Sequence, residues 1–232
     1  MTVDLAILDV ITLRNRAVFP MRLEALPMSN QLPASVLIDP ATGAMAGRTR
    51  RYEKRLSDLA GLFVDEAAFA EVARLRGQDI AYQVDEFRPS ERAGDIIFGT
   101  STLYPDRIGD EYVFTRGHIH AIGDRPEAYH CQSGHGVMLM ELADGTVHVE
   151  EMRPNGVVYV PPHWIHRSVN VGTVPLVTLF CYPADAGQDY DIIAQAGGMR
   201  DLIVDDGAGG WKRVPNPRYR PRSLTPASPG VA

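Results

Sequence analysis

The chain has 232 residues, of which 45% are hydrophobic and 22% charged, and its formal net charge is −6. This balance is that of a globular protein with a core, and an acidic chain lacks the basic surface that nucleic acids and anionic membranes require. The N-terminus combines the acid Asp4 with no sustained apolar run, which is not typical of a signal peptide or membrane span. We therefore expect a cytoplasmic protein with no nucleic-acid partner and no membrane partner.

Residues 1–46 contain several prolines, which exclude one long helix. We expect this segment to form an extension that packs on the following domain or on a partner subunit. Further along, Asp65 is placed to cap a short helix over "EAAFAEVARL". We interpret that helix as packing rather than functional.

From residue 79 to residue 182, short runs of alternating polarity are separated by Gly, Pro, Asn and Asp. They include "IAYQVDEF", "DIIFGTSTLY" and "PLVTLFCY", and Asp144-Gly145 between two runs predicts a tight hairpin. Many short strands at this spacing predict an antiparallel sandwich or barrel. One short helix and one strand are expected after residue 187, and the composition of residues 219–232 predicts a mobile tail.

All seven histidines of the chain lie between residues 118 and 166. His118 and His120 are two positions apart, so on a strand both imidazoles face the same side. Glu127 begins the run after the next turn, and a strand that crosses the same face offers His166. Three imidazoles and one carboxylate predict a site for a divalent first-row metal, and Fe, Mn, Ni and Zn all accept such ligands. Taken alone, the H-x-H pair is equally compatible with surface or hydrogen-bonded histidines.

The spacing around these residues is G-H-x-H-x6-E-x6-G from Gly117 to Gly134, followed by P-x4-H-x3-N from Pro161 to Asn170. This pattern resembles the two cupin motifs. The resemblance implies an all-β fold, a cupin-like double-stranded β-helix or jelly-roll barrel with short peripheral helices and a metal at its mouth. The sequence departs from the second cupin motif at His163, where cupins often have a glycine.

Longer segments of the sequence point to one family among the cupins. They are "RLSDLAGLFVDE", "TLYP", "TRGHIHA", "VVYVPPHWIHRSVN" and "YPADAGQDY". Together they resemble the cupin-type phosphoglucose isomerase family over about residues 47–218, and YPADAG is more specific to that family than H-x-H. The resemblance implies an enzyme that uses one divalent metal per chain to interconvert glucose 6-phosphate and fructose 6-phosphate. We expect a homodimer, because the dimer is the commonest closed assembly.

The family's metal ligands fall on the four residues that spacing also selects, His118, His120, Glu127 and His166. Glu127 is the only acid of this group and the candidate base for moving a hydrogen between C1 and C2. A carboxylate that also binds a metal is a weaker base, so a metal-assisted hydride shift is the alternative route. Tyr129 and Tyr182 are candidates for orienting sugar hydroxyls, with core packing as the alternative.

The resemblance also implies the residues that bind the substrate phosphate: Tyr82, Ser101, Thr115 and the backbone amide of Gly117. Arg116 would add charge beside them, with a solvated salt bridge as the alternative. Arg167 follows the last ligand and should point away from the metal by strand alternation. Gln188 replaces a histidine of the family's YPADAG-H-DY segment. A glutamine donates a hydrogen bond to phosphate but carries neither a proton nor a positive charge, so this departure bears on both substrate and rate.

Two other classes of function are compatible with the sequence, because the cupin fold supports many chemistries. The first is another metal-dependent cupin enzyme, either an oxygenase or an isomerase of a different phosphosugar. The second is a non-catalytic sugar-phosphate-binding protein. Oxygen uptake with an organic substrate would favour an oxygenase, and ligand binding without turnover would favour a binding protein.

Overall fold

The computed structural model describes residues 32–222. Residues 1–31 and 223–232 lie outside this range, together with the parts of the predicted extension and tail that fall on them. Residues 34–222 belong to one unit of the chain.

Strands dominate the described residues. In chain order the first elements are β1 (Leu37–Ile38), β2 (Met45–Ala46), β3 (Arg50–Arg55), a 3-10 helix (Leu56–Leu59), α1 (Glu66–Arg76), β4 (Ile80–Phe87), β5 (Ile96–Leu103), β6 (Arg107–Ile108) and β7 (Glu111–Tyr112). They are followed by β8 (Glu127–Ser133), β9 (Gly136–Glu141), β10 (Val147–Met152), β11 (Val157–Val160), β12 (Ile165–Asn170), β13 (Leu176–Pro183), α2 (Asp191–Gln195), β14 (Asp201–Asp205) and β15 (Trp211–Pro215). No helix within residues 32–222 is long and apolar enough to cross a membrane.

The strands form two larger antiparallel sheets that carry the site. One has six strands in the order β11-β8-β13-β5-β4-β3, and the other has three in the order β10-β9-β12. Two smaller sheets have the orders β15-β14-β7-β6 and β1-β2. Buried side chains from both larger sheets, including Ile97, Leu103, Leu139 and Ile165, belong to one apolar cluster. Each such side chain stabilises the fold by about 1.5–3 kcal/mol through burial. The arrangement confirms the predicted all-β class with short peripheral helices.

Local signals in the sequence account for several elements. The predicted strand "IAYQVDEF" is β4, and Asp65 caps α1 by accepting a hydrogen bond from the Ala68 backbone N–H at 2.8 Å. The β9–β10 hairpin turns at Asp144-Gly145, where Gly145 has a φ of 87°. The prediction of a single strand after α2 was wrong. β14 and β15 form a hairpin there, because the glycine-rich connection after Asp205 reverses the chain.

The described part of the N-terminal extension contacts the larger sheet. Thr102 Oγ1 of β5 donates to the Thr42 carbonyl at 2.9 Å, and Thr100 Oγ1 donates to the Gly43 carbonyl. These bonds hold the loop of the β1–β2 hairpin against β5. This part of the extension therefore lies on its own chain's barrel.

Residues 219–222 are also held by specific contacts. The Arg220 backbone N–H donates to the Ala196 carbonyl at 2.8 Å, and the Arg222 guanidinium forms an ion pair with Glu141. Both side chains of that pair are buried, with 6% and 0% exposure. Residues 223–232 lie outside the described range, and for them the mobile tail stays a prediction.

His163 occupies a backbone conformation that favours glycine, with a φ of 69°. Cupins often have glycine at this position, so the departure seen in the sequence carries a conformational cost of about 1–2 kcal/mol. We expect His163→Gly to raise the free energy of unfolding by about 0.5–1 kcal/mol, because the greater freedom of glycine in the unfolded chain offsets part of the relief. Denaturant titration measures the change.

Asn155→Gly is the control, since Asn155 has a φ of 70° but asparagine tolerates this region. Its effect should be smaller than that of His163→Gly. A His163→Gly protein less stable than the parent would show that His163 causes no net strain.

Candidate metal centre

The segment that carries His118 lies directly against β12. The backbone N–H of His118 donates to the His166 carbonyl at 3.1 Å, and the His166 N–H donates back to the His118 carbonyl at 2.9 Å. Gly117 precedes this contact with a φ of 76°, and a Cβ there would lie 2.8 Å from the His166 carbonyl oxygen and 2.9 Å from the Cβ of Arg167. Only glycine allows this approach, which places the imidazole of His118 beside that of His166.

The four predicted ligands converge on one point. Glu127 is the first residue of β8, and its Oε2 lies 3.0 Å from His166 Nε2, 3.2 Å from His120 Nε2 and 3.7 Å from His118 Nε2. All four residues are buried. His118 and His120 belong to a segment that makes isolated bridges rather than a full strand. Their side chains nevertheless reach the same place, as the spacing predicted.

Hydrogen bonds on the far side of two imidazoles define which nitrogen faces the centre. Nδ1 of His120 lies 2.7 Å from the Arg125 carbonyl oxygen, and Nδ1 of His166 lies 3.1 Å from that of Trp164. A carbonyl only accepts, so each Nδ1 donates, and a ring with its single proton on Nδ1 presents the lone pair of Nε2 to Glu127. Nε2 of His120 is buried and has no hydrogen-bond partner within the described chain.

This arrangement fits a metal ion. Lone pairs of nitrogen and oxygen that face one another at 3.0–3.7 Å repel unless a cation lies among them. Such separations suit ligand atoms that each bind an ion at about 2.0–2.2 Å. The ligand atoms of His118, Glu127 and His166 all lie within 4.8 Å of one another. Three nitrogens and one carboxylate oxygen are a donor set for a divalent first-row metal.

The charge of the cluster favours a cation. Burial, assisted by neighbouring His166, lowers the pKa of His118 to about 4, so its imidazole is neutral at neutral pH. Burial opposes ionisation of Glu127, but its close contacts with the three imidazoles hold its pKa well below the usual range. Burial also lowers the pKa of His120, yet Glu127 outweighs it and the net direction is upward. A proton and a metal therefore compete for His120, which makes metal affinity dependent on pH.

A cavity of about 240 Å³ extends from this cluster. His118, Glu127 and His166 line it. So do all the residues predicted to contact sugar or phosphate: Tyr82, Ser101, Thr115, Gly117, Tyr129, Tyr182 and Gln188. The structure thus brings the predicted sugar and phosphate contacts and three of the four predicted ligands together around one space. The fourth ligand, His120, lies behind Glu127 and does not line the cavity.

The tyrosines of the cavity keep their protons at neutral pH. Burial, with the charge of Glu127, raises the pKa of Tyr129 well above its usual value. Burial raises the pKa of Tyr82 to about 12 against a hydrogen bond from the Arg116 backbone, and it also raises the pKa of Tyr182. These phenols can therefore donate hydrogen bonds to sugar or phosphate oxygens.

The predicted phosphate residues have free hydrogen-bonding capacity. Ser168 N–H donates to Thr115 Oγ1 at 3.1 Å, which leaves the hydroxyl proton of Thr115 available. The backbone N–H of Gly117 has no partner within residues 32–222. Both groups line the cavity and can donate to an anion.

Gln188 lies beside the predicted metal ligands. Its Nε2 is 3.5 Å from His118 Nε2, and its Oε1 accepts a hydrogen bond from the Tyr190 hydroxyl. The Arg116 guanidinium stacks over the Tyr190 ring at 5.4 Å. A phosphate contact from Gln188 stays a prediction, and its observed neighbours suggest a role in positioning His118.

Sequence reasoning missed several residues that line the cavity, namely Arg50, Tyr52, Glu86, Arg88, Ser168 and Tyr190. Strand alternation could have found Glu86, which is four residues after Tyr82 on β4 and therefore on the same face. The presence of Arg50 and Arg88 at the cavity follows from Glu86, because both guanidinium groups form ion pairs with its carboxylate. Arg88 also donates to the Tyr182 hydroxyl at 3.2 Å.

Comparison with known proteins yields consistent matches. The model of the Glucose-6-phosphate isomerase (GPI) family matches residues 53–220. The chain is 56% identical to "Glucose-6-phosphate isomerase" of Sinorhizobium medicae over 190 residues, which cover 82% of this chain and 89% of that protein. It is 43% identical to the protein of the same name from Thermococcus gammatolerans over 192 residues, 83% of this chain and 99% of that protein. It is 42% identical to the protein of that name from Pyrococcus furiosus over 188 residues, 81% of this chain and 97% of that protein.

Proposed function

The chain belongs to the cupin-type glucose-6-phosphate isomerase family and interconverts glucose 6-phosphate and fructose 6-phosphate, and we propose that it does so at the cluster of His118, His120, Glu127 and His166. The observation that supports this location most strongly is the convergence of buried Nε2 lone pairs and the Glu127 carboxylate at the cavity wall. A divalent cation bound there would draw electrons from the C1 and C2 oxygens and so stabilise the charge of an enediolate.

The hydrogen transfer itself has two candidate routes. Oε2 of Glu127 faces the imidazoles, which leaves Oε1 as the oxygen available to take a proton from C1 or C2 and return it. In the alternative route, a hydride passes directly between the two carbons and Glu127 serves only as a ligand. Turnover in D₂O distinguishes them, because a proton held on a carboxylate exchanges with solvent and a hydride does not.

The remaining residues of the cavity hold the substrate for either route. Tyr129 and Tyr182 are proposed to orient sugar hydroxyls, since both phenols stay protonated and lie at 5.9 Å and 5.5 Å, ring to ring, from His166 and His120 respectively. The phosphate is proposed to bind Tyr82, Ser101, Thr115 and the Gly117 amide. Fixing both ends of the sugar phosphate places C1 and C2 at the ligand cluster, which supplies the orientation on which such catalysis depends.

The phosphate assignment predicts the effect of removing one hydroxyl. Thr115→Val deletes a donor to a charged group, a loss of about 1.5–3 kcal/mol, or roughly 10- to 150-fold in kcat/KM for fructose 6-phosphate. Metal content should stay unchanged. Steady-state kinetics and elemental analysis measure both quantities.

Thr178→Val is the matched control, because Thr178 is buried, does not line the cavity, and its Oγ1 has no partner within the described chain. Its kcat/KM should equal that of the parent. If Thr115→Val also behaves like the parent, the phosphate binds elsewhere.

The substrate is tested against the alternatives by parallel assays. Turnover should be observed with fructose 6-phosphate and be much slower with mannose 6-phosphate, and no oxygen should be consumed. Turnover only with mannose 6-phosphate would show that the enzyme isomerises a different phosphosugar. Binding without turnover would point to a binding protein. The identity of the metal among Fe, Mn, Ni and Zn, the homodimer and the cytoplasmic location stay predictions.

A further inference from the structure

A second cavity lies on the other side of the arginines that border the substrate cavity. Its volume is about 480 Å³, twice that of the substrate cavity. Four arginines line it, Arg116, Arg167, Arg218 and Arg220, against the single carboxylate of Asp58. We refer to this space as the arginine cavity.

Arg167 is the most unusual of the four. It is 4% exposed, yet within residues 32–222 it forms no ion pair, and its only hydrogen bond runs from Nη2 to the Arg116 carbonyl at 3.2 Å. Its Nε is buried and has no hydrogen-bond partner among the residues that the structure describes. The guanidinium lies over the Phe114 ring at 4.1 Å, which is a weak substitute for an anion. The carboxylates of Glu111 and Glu141 attract this guanidinium electrostatically, but neither lies within ion-pair distance of it. A buried cation that no anion contacts is costly, which favours binding of an anion here.

The other arginines also leave positive charge unmatched. The side chain of Arg220 has no hydrogen bond or ion pair within the described chain. Arg116 and Arg218 pair with Asp191 and Glu66, whose side chains are 76% and 78% exposed and therefore screened by water. The arginine cavity thus has a strong positive potential in a chain whose net charge is −6.

We propose that the arginine cavity binds a small phosphorylated anion with two phosphate groups, at a site separate from the substrate cavity. Guanidinium groups match phosphate oxygens in bidentate geometry, and four of them around one space suit more than a single phosphate. Gly61, Gly197 and Gly198 form part of the wall, and a Cβ on Gly61 would project into open space.

Occupancy of the arginine cavity should weaken substrate binding. Arg116 and Arg167 line both cavities, so an anion in one neutralises charge that would attract the substrate phosphate in the other. The effect is reciprocal, because coupling between two binding sites acts equally in both directions. This coupling rests on the proposed phosphate position, whereas binding to the arginine cavity does not.

Calorimetric titration of the metal-loaded protein with fructose 1,6-bisphosphate tests the proposal. The parent should show two classes of site per chain, one in each cavity. Arg220→Gln should weaken one class by about 10-fold, because Arg220 lines only the arginine cavity and loses a charge-assisted contact. Thr115→Val should weaken only the other class.

Arg213→Gln is the matched control, with the same change of charge at an exposed arginine that lines neither cavity. Both classes should be unchanged in it, and Arg220→Lys should recover part of the affinity. A single class of site in the parent that Arg220→Gln leaves unaltered would overturn the proposal. An equal loss in Arg220→Gln and Arg213→Gln would also overturn it, since general surface charge would then explain the binding. If Thr115→Val alone has no effect, only the substrate-phosphate assignment fails.

Discussion

Replacing Glu127 by Gln is expected to lower kcat/KM for fructose 6-phosphate by at least about 10²- to 10⁴-fold, the contribution of a well-placed proton-transfer group. Glutamine has the shape of glutamate but no charge, so the three imidazoles around Oε2 lose the anion that they face. Metal affinity should fall as well, because the only carboxylate ligand is removed. Steady-state kinetics and elemental analysis of the same preparation measure the two effects together.

The design separates the ligand role from the base role. If Glu127→Gln still binds metal when it is supplied in excess, the remaining kinetic defect belongs to proton transfer. Glu150→Gln is the matched control, since that glutamate is exposed on β10 and pairs with His148. A Glu127→Gln protein within 10-fold of the parent, with a full complement of metal, would exclude Glu127 from both roles.

Arg222→Ala is expected to lower the free energy of unfolding by about 3–5 kcal/mol, the range measured when one partner of a buried ion pair is removed. The carboxylate of Glu141 is 0% exposed. Without Arg222, its remaining hydrogen-bond donors are the Arg200 backbone N–H at 2.9 Å and the Tyr219 hydroxyl. Glu141 pairs with Ile165 in the β9–β12 ladder, so the loss acts next to His166. Denaturant titration measures the change.

Two further variants show whether the cost comes from the unpaired buried charge. Glu141→Gln combined with Arg222→Met removes both charges and should cost much less than Arg222→Ala alone, because no ion is left buried without its partner. Arg213→Ala breaks an ion pair with Asp201 whose arginine is 47% exposed and should cost about 0–1 kcal/mol. An Arg222→Ala protein within 1 kcal/mol of the parent would show that residues 219–222 do not anchor the chain.

The convergence of the four proposed metal ligands was predictable because it depends mostly on residues close together in the sequence. His118, His120 and Glu127 lie within ten residues, and the alternation of a β-strand together with one turn is enough to bring them together. His166 required only one more strand crossing the same face. The spacing could not show that Gly117 has to approach the His166 carbonyl, because that contact depends on the packing of two segments distant in sequence.

The arginine cavity and the ion pair between Arg222 and Glu141 could not be predicted from the sequence. Strand alternation predicted that Arg167 points away from the metal, but Arg167 lines the substrate cavity as well as the second cavity, which alternation did not reveal. The arginine cavity is assembled from the 3-10 helix, β12, α2 and the segment after β15, and no periodicity links these elements. The same is true of the pair between Arg222 and Glu141, which turned part of a predicted mobile tail into an anchored segment.

Isomerisation is expected to depend on a divalent metal held by His118, His120, Glu127 and His166. The most direct measurement is turnover of fructose 6-phosphate by protein stripped with a chelator and then reloaded separately with Fe, Mn, Ni or Zn, with the His166→Ala protein treated in parallel. The stripped parent should lose nearly all turnover and regain it with at least one metal at one ion per chain, whereas His166→Ala should bind less metal and recover little. Full turnover by stripped parent that contains no metal would contradict the claim.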